Sequence, residues 1–392
     1  MTEIYTAYDA LKHFNGLIHR QPLFISKKLD VDSYHLTFLD INGNSLDEDA
    51  PVPEFLSQLS DILQAINHNQ KTLLTIPASW QQALFEYSMP GIDLIIEANE
   101  KSLAKPPSTH VSYAVNAKSA NGQSQTLLID LDVFSADELS ANLPKWRQKH
   151  AVLCALNVNA AKQFSLCQLH NIDLLQGFFY TLPDTSFDKK IAPAAQTLME
   201  LLVKLQDPEV EVDELAEIIN QDVALSYKLL RLINSAFFGL PREVGSTRQA
   251  IVMLGQNKIK TWASLLCLSG LDNKPNELRT TAMIRGRMCE LLAKYYKGHA
   301  DVFFAAGLFS TLDALMDKPL EVLLQDLPLS EELHTALLHK EGAAGMALNQ
   351  VLNYERGNWS AIDYSIVSAD ALLAAYLDAL FWAKELNLQL ND

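Results

Sequence analysis

The sequence predicts an α/β fold, a TIM-type (β/α) barrel, followed by an all-α domain, and three observations predict it. Across residues 1–185, eight short apolar runs alternate with helix-period segments. After Thr181 the strand-like runs stop and helical periodicity alone remains. Between the two lies a polar, proline-flanked connector, LPDTSFDKKIAP. A chain of 392 residues is long for one domain, so residues 1–185 and 186–392 are expected to fold as two.

In the first half the expected strands are residues 21–25, 35–41, 72–77, 93–98, 111–117, 126–133, 151–158 and 173–180. Helix-period segments at residues 54–67, 136–149 and 160–170 separate several of them. Strand and helix in alternation imply right-handed crossovers and a largely parallel sheet. Eight strands fit a closed barrel better than an open sheet, which stays the alternative.

In the second half, Leu198, Leu201, Leu202 and Leu205 show the i, i+3, i+4, i+7 spacing of an amphipathic helix, and Ile259, Trp262, Ala263 and Leu266 repeat it. Periodicity continues through residues 281–296, 301–316, 331–338, 343–354 and 365–386. The most strongly punctuated stretch is residues 219–255. Asp222 is placed to cap a helix whose buried stripe runs through Leu225, Leu229 and Leu232. Gly239, after Phe237 and Phe238, is expected to end that helix in a left-handed conformation, and Pro241 to keep it from restarting. Ser246 with Gln249 reads as a capping box for a helix that stops at Gly255.

The chain carries a formal charge of −16, and up to Phe187 it holds 12 basic and 20 acidic residues, so each half is −8. With no basic tract, direct nucleic-acid contact and binding to anionic membrane surfaces are poor fits. No apolar run reaches the ~18–20 residues of a membrane helix, and the N-terminus has no export signature; a soluble, cytoplasmic protein is expected. Cys154, Cys167, Cys267 and Cys289 are widely spaced within apolar runs, so they read as small buried hydrophobes in a reducing compartment.

The first half resembles the EAL family, whose active members hydrolyse cyclic di-GMP in a TIM-type barrel. The resemblance rests on RQPLF at residues 20–24, SYHLTF at 33–38, LIIEANE at 94–100 and LLQGFFYTLP at 174–183. Hydrolysis of that kind needs two divalent cations held by several carboxylates. The resemblance implies that the signature Glu falls at His35 and a metal-binding Asn at Thr75. The paired Asp motif falls near Asn116 and Ala117, a Lys near Asp130 and a later Glu near Asn159. Glu97 alone is retained among the ligands, and Gln176 of the Q-G motif lines the expected mouth.

Each of these residues also has a plain structural reading. Glu97 and Glu100 serve as a strand-end charge and a first-turn helix residue, and His35 as a hydrogen-bonded barrel histidine. Asp130 and Asp132, two apart, would share a strand face and could form an acid–base pair or a solvated strand end.

Residues 191–271 resemble the HDOD family, helical output domains of bacterial signalling proteins. Asp222, Asn234 with Ser235, Phe238 with Gly239, Gln249 to Ile251 and Leu254 with Gly255 carry the match. NYERGNW at residues 353–359 and the stretch from Gly307 to Leu338 are similar to an EAL–HDOD subtype with a degenerate barrel. Related HD-type phosphohydrolases use an adjacent His-Asp pair, but the region where it would fall offers Ser310, Thr311, Leu312 and Asp313. His334 and His339 are five apart, the wrong spacing for one helical face.

The resemblance implies a non-catalytic regulator of cyclic di-GMP-related signalling, with motility or biofilm outputs, working through other signalling proteins. No metal and no cofactor are called for. Phe237, Phe238, Leu240 and Arg242 are the candidate partner-binding residues, with core packing as the plainer reading of the aromatics. The alternative is a cyclic di-GMP-binding sensor without hydrolysis.

Overall fold

The computed structural model describes residue 11 and residues 14–67, 71–87, 92–98, 110–118, 124–184, 193–207, 209–235, 237–268 and 274–391. Glu100 and most of the connector lie outside the described residues. Two compact units emerge. One comprises Met1–Tyr180, Asn353–Tyr364 and Ser368–Leu377; the other comprises Thr181–Leu352, Ser365–Val367 and Asp378–Asp392.

The first unit is a closed barrel of eight strands in sequential order. They are β1 (Leu17–Ile25), β2 (Val31–Leu39), β3 (Lys71–Thr75), β4 (Leu94–Glu97), β5 (Val111–Asn116), β6 (Thr126–Asp130), β7 (Val152–Leu156) and β8 (Leu174–Gln176). Helices α1 (Leu59–Asn67), α2 (Ala78–Leu84), α3 (Ala136–Lys149) and α4 (Ala161–Leu169) fall between them. Strand alternation sends one apolar side chain from seven strands inward: Leu23, Leu73, Ile95, Ala114, Leu128, Cys154 and Leu174 form a buried cluster. Cys154 thus acts as a small hydrophobe. All four cysteines are free, and burial pushes the Cys167 and Cys267 thiols up to about 12.

The pairings from β2 to β8 are parallel, whereas β1 runs antiparallel to both neighbours. Because β8 is three residues long, it reaches only Leu23–Ile25 of β1. The preceding stretch of β1 is paired to β2 alone, an edge whose carbonyls need partners. C-terminal segments supply them. The fully buried Tyr354 donates its hydroxyl to Ile18 O at 3.0 Å, and Tyr376 donates to Arg20 O at 3.4 Å.

Trp359 packs edge-on against both Tyr354 and His19, and Gly43, at φ +81°, leaves no room for a Cβ beside the Trp359 ring. The expected division at residue 185 therefore misplaces Asn353–Tyr364 and Ser368–Leu377, which cluster with the barrel. A helical period in sequence says nothing of which core the helix covers.

The second unit is helical. It contains α5 (Pro193–Gln206), α6 (Val212–Gln221), α7 (Val223–Ile233), α8 (Thr247–Leu254), α9 (Gln256–Leu268), α10 (Asn276–Leu292) and α11 (Ala300–Phe309). After these come α12 (Leu312–Met316), α13 (Leu320–Asp326), α14 (Glu331–His339) and most of α15 (Gly342–Arg356), while α16 (Ala369–Asn391) contributes from Asp378 onward. Asp222 caps α7 by accepting from Leu225 N at 3.0 Å, and Leu225, Leu229 and Leu232 are buried.

Two local expectations need correction. Helix α7 ends at Ile233, not at Gly239, because Asn234 caps it and then clamps the next loop. The Asn234 amide donates to Val244 O at 2.9 Å and accepts from Val244 N at 2.7 Å. Gly239 does adopt φ +57°, but inside the loop. At α8, Ser246 accepts from Gln249 N, while Gln249 accepts from Gly245 N, one residue further back than a reciprocal box requires.

Candidate functional site

Functional side chains of such barrels collect at the C-terminal ends of the strands. Here Thr75, Glu97, Asn116, Asp130 and Gln176 are the last residues of β3, β4, β5, β6 and β8. Strand register places Gln21 of β1 opposite His35 of β2, and His35 beside β3. The result is one connected chain of side chains across the mouth.

The chain has a direction. Thr75 Oγ1 donates to Glu97 Oε2 at 2.5 Å, so it must accept from His35 Nε2 at 2.7 Å. The other ring nitrogen, Nδ1, then accepts from Gln176 Nε2 at 2.9 Å, and the same amide group donates to Gln21 Oε1 at 2.5 Å. These roles fix the neutral Nε2–H tautomer of His35 by satisfaction of the network. Burial, with His19 nearby, lowers the His35 pKa to about 3, which keeps the ring neutral. Donors aligned in series reinforce one another and end on a carboxylate. Glu97 is therefore the terminus of a structural network, and its oxygen faces a hydroxyl.

The remaining positions singled out by the resemblance are engaged locally. Asn116 Oδ1 accepts from Lys118 N, and Asn159 Oδ1 accepts from Phe178 N. Asp130 Oδ1 accepts from Asn157 Nδ2 at 2.8 Å and from Asp132 N at 3.0 Å. Asp132 lies in the turn beyond β6 and is exposed, so the expectation of two carboxylates on one strand face fails. The strand stops at Asp130 because its carboxylate closes the turn. Among the described residues no group of three or more His, Cys, Asp or Glu side chains converges as a metal site would need.

Gln21 is the member of this network that sequence reading missed, although its parity with Leu23 on β1 already placed it facing inward. His19 shares that parity. Its Nε2 lies 2.9 Å from Glu355 O, so part of the NYERGNW stretch sits directly on the barrel wall.

In the helical unit the region of the expected His-Asp pair is occupied by a cation. The buried Arg285 guanidinium donates to Ser310 Oγ at 3.1 Å and to Ser310 O at 3.3 Å. Burial raises the Asp313 pKa, against the opposing pull of Ala314 N–H and the nearby Arg285 charge. His334 and His339 both lie on α14 and are not brought together with a carboxylate cluster.

Of the candidate partner-binding residues, Phe237 and Phe238 are half-buried and line a cavity with Trp262 and Trp382. Leu240 and Arg242 do not line it, and Arg242 is exposed.

Residues 191–318 match the HDOD domain family. The chain carries an HDOD domain. The match runs well past residue 271, where the sequence reading ended it, and takes in α10, α11 and α12. The cyclic di-GMP phosphodiesterase CdgJ of Vibrio cholerae is 30% identical over 240 residues, 59% of this chain and 56% of that protein. The matched part thus spans little more than half of that relative. YuxH of Bacillus subtilis is 27% identical over 288 residues, 70% of each chain. Among solved structures, a standalone EAL protein of Vibrio cholerae in its c-di-GMP-bound form is 14% identical, covering 42% of this chain and 91% of its own, with a TM-score of 0.32. No helix among the described residues is long and apolar enough to cross a membrane.

Proposed function

We propose that this protein is a non-catalytic regulator in cyclic di-GMP-related signalling, acting as a scaffold for other signalling proteins through its HDOD half. The observation that carries this reading is the closed chain Gln21–Gln176–His35–Thr75–Glu97. A two-metal hydrolytic centre needs several carboxylates free to bind hard cations and generate hydroxide. Here the one retained carboxylate accepts from Thr75, and a neutral imidazole stands where the signature Glu would be. Arg285 supports the same reading in the helical half, since a buried guanidinium opposes rather than attracts a metal ion. Losing ligands while keeping both folds is the outcome expected when surfaces do the work.

A second reading, nucleotide sensing without hydrolysis, draws on the name of the Vibrio relative and on Gln176, which stays at the mouth. Its weakness is charge. Among the described residues, the side chains of the mouth network are Gln21, Gln176, His35, Thr75 and Glu97, and none of them brings a positive charge to neutralise two phosphates.

Two measurements on the full chain separate these readings. Co-purification from the native cell is expected to recover a specific signalling partner, lost when the HDOD half is removed. Calorimetry with cyclic di-GMP is expected to give no saturable heat. Saturable binding without a partner would replace the scaffold by the sensor.

A further inference from the structure

The helical unit contains a cavity of about 300 Å³ walled by aromatic rings. Phe238 meets Trp262 edge-on at 5.1 Å between centroids, and Trp262 lies 5.7 Å from Trp382, tilted by 41°. Phe237 and Phe304 close the ring set, each contacting both tryptophans. An ordinary aromatic core would fill its own space, since protein interiors leave few voids larger than a water molecule. This one stays open, and Phe237, Phe238 and Trp382 remain half-buried. The loop that presents the two phenylalanines is held by both Asn234–Val244 hydrogen bonds, so the opening is preorganised.

The charges beside the rings divide into spent and unspent. Arg287 donates to Asp378 at 2.8 Å and to Glu290 at 2.9 Å while lying over Trp382. Lys258 makes no ion pair among the described residues; its ammonium sits 5.9 Å from the Phe238 centroid. Asp301, in the first turn of α11, likewise makes no hydrogen bond or ion pair among them. A cavity with apolar walls, flanked by an exposed ammonium and an exposed carboxylate that have no ion-pair partner among the described residues, is complementary to a definite kind of molecule.

We propose that this cavity binds a small planar aromatic molecule bearing an anionic group and a hydrogen-bond-donor group. The ring packs against the half-buried rings of Phe237, Phe238 and Trp382, the anion pairs with Lys258, and the donor faces Asp301. An organic cation is disfavoured because Lys258 and Arg287 already occupy the positions over the rings. A plain hydrocarbon would leave both charges beside an apolar surface. A mononucleotide and an aromatic amino acid share the required chemistry and the required size. The site would give the HDOD half a small-molecule input, and it does not depend on the scaffold reading.

Calorimetric titration of the full chain with guanosine monophosphate, adenosine monophosphate and L-phenylalanine tests the proposal and separates the two sources. At least one is expected to bind saturably, the nucleotides alone if the ring must be a base. Phe238→Ala is expected to weaken that ligand about tenfold, the order of one lost stacking contact. Lys258→Glu should weaken the anionic ligand about tenfold or more, leaving uncharged guanosine unaffected. Circular dichroism of both variants checks that the fold is kept, and Lys258→Gln serves as the milder substitution. Absence of saturable binding by all three compounds up to millimolar concentration overturns the proposal. So does binding that survives both variants unchanged.

Discussion

At the barrel mouth, Gln176, His35, Thr75 and Glu97 satisfy one another in series. In the helical unit, Lys258 and Asp301 stand beside an aromatic cavity with no polar partner among the described residues. Polar groups that face one another stabilise a fold and leave little to offer a ligand. Polar groups left facing open space stabilise nothing and are available to something else. The proposed ligand site accordingly lies in the helical half, although the EAL-like motifs lie in the barrel.

If the C-terminal segments hold the barrel edge, their removal should have the largest effect. Tyr354→Ala deletes a fully buried aromatic and is expected to cost about 3–5 kcal/mol, read by chemical denaturation. Tyr354→Phe should cost only about 1 kcal/mol, the loss of one hydrogen bond. Equal effects would mean that the hydroxyl, rather than the packing, matters.

The mouth should also make the barrel acid-sensitive. The His35 pKa is lowered to about 3 in the folded chain, so below its ordinary value near 6.5 the unfolded chain binds more protons. Stability should therefore be constant above that pH and fall as pH drops from about 6.5 toward 3, by at most about 1.4 kcal/mol per unit. His35→Gln should flatten this slope in urea titrations at a series of pH values. An unchanged slope would assign the sensitivity to the other buried histidines, His19 and His150, whose pKa values burial also lowers.

Next in size comes Thr75→Val, which keeps the shape, leaves His35 Nε2–H only the longer contact to Thr37 Oγ1 at 3.4 Å, and takes the hydroxyl donor from Glu97. It should cost about 1–3 kcal/mol. Lys258→Gln and Asp301→Asn, by contrast, should each change stability by less than about 0.5 kcal/mol. If Lys258→Gln and Asp301→Asn each cost as much as Thr75→Val, the division into spent and unspent polar groups is wrong.

The eight strands were legible because short apolar runs between helical periods leave few other topologies. The antiparallel setting of β1 was not, since pairing direction leaves no mark in an alternation pattern. Asp222 and Ser246 were readable as caps because capping is local. Helix α7 ended early because Asn234 bonds to Val244, ten residues on, a contact that no local rule supplies. Glu97 and Gln176 were named from motif resemblance, and strand alternation could have added Gln21. The direction of the hydrogen-bond chain needed coordinates, because only three-dimensional proximity shows that Thr75 lies between His35 and Glu97. Phe237 and Phe238 were singled out as a pair, but the tryptophans that complete their cavity come from α9 and α16, far away in sequence.

The most direct test of the central claim is incubation of the full chain with cyclic di-GMP and millimolar magnesium or manganese, followed by quantification of the linear product. No turnover above the protein-free control is expected on the proposed reading, in which the Glu97 carboxylate serves as acceptor for Thr75. Turnover that disappears in Glu97→Gln would contradict the account.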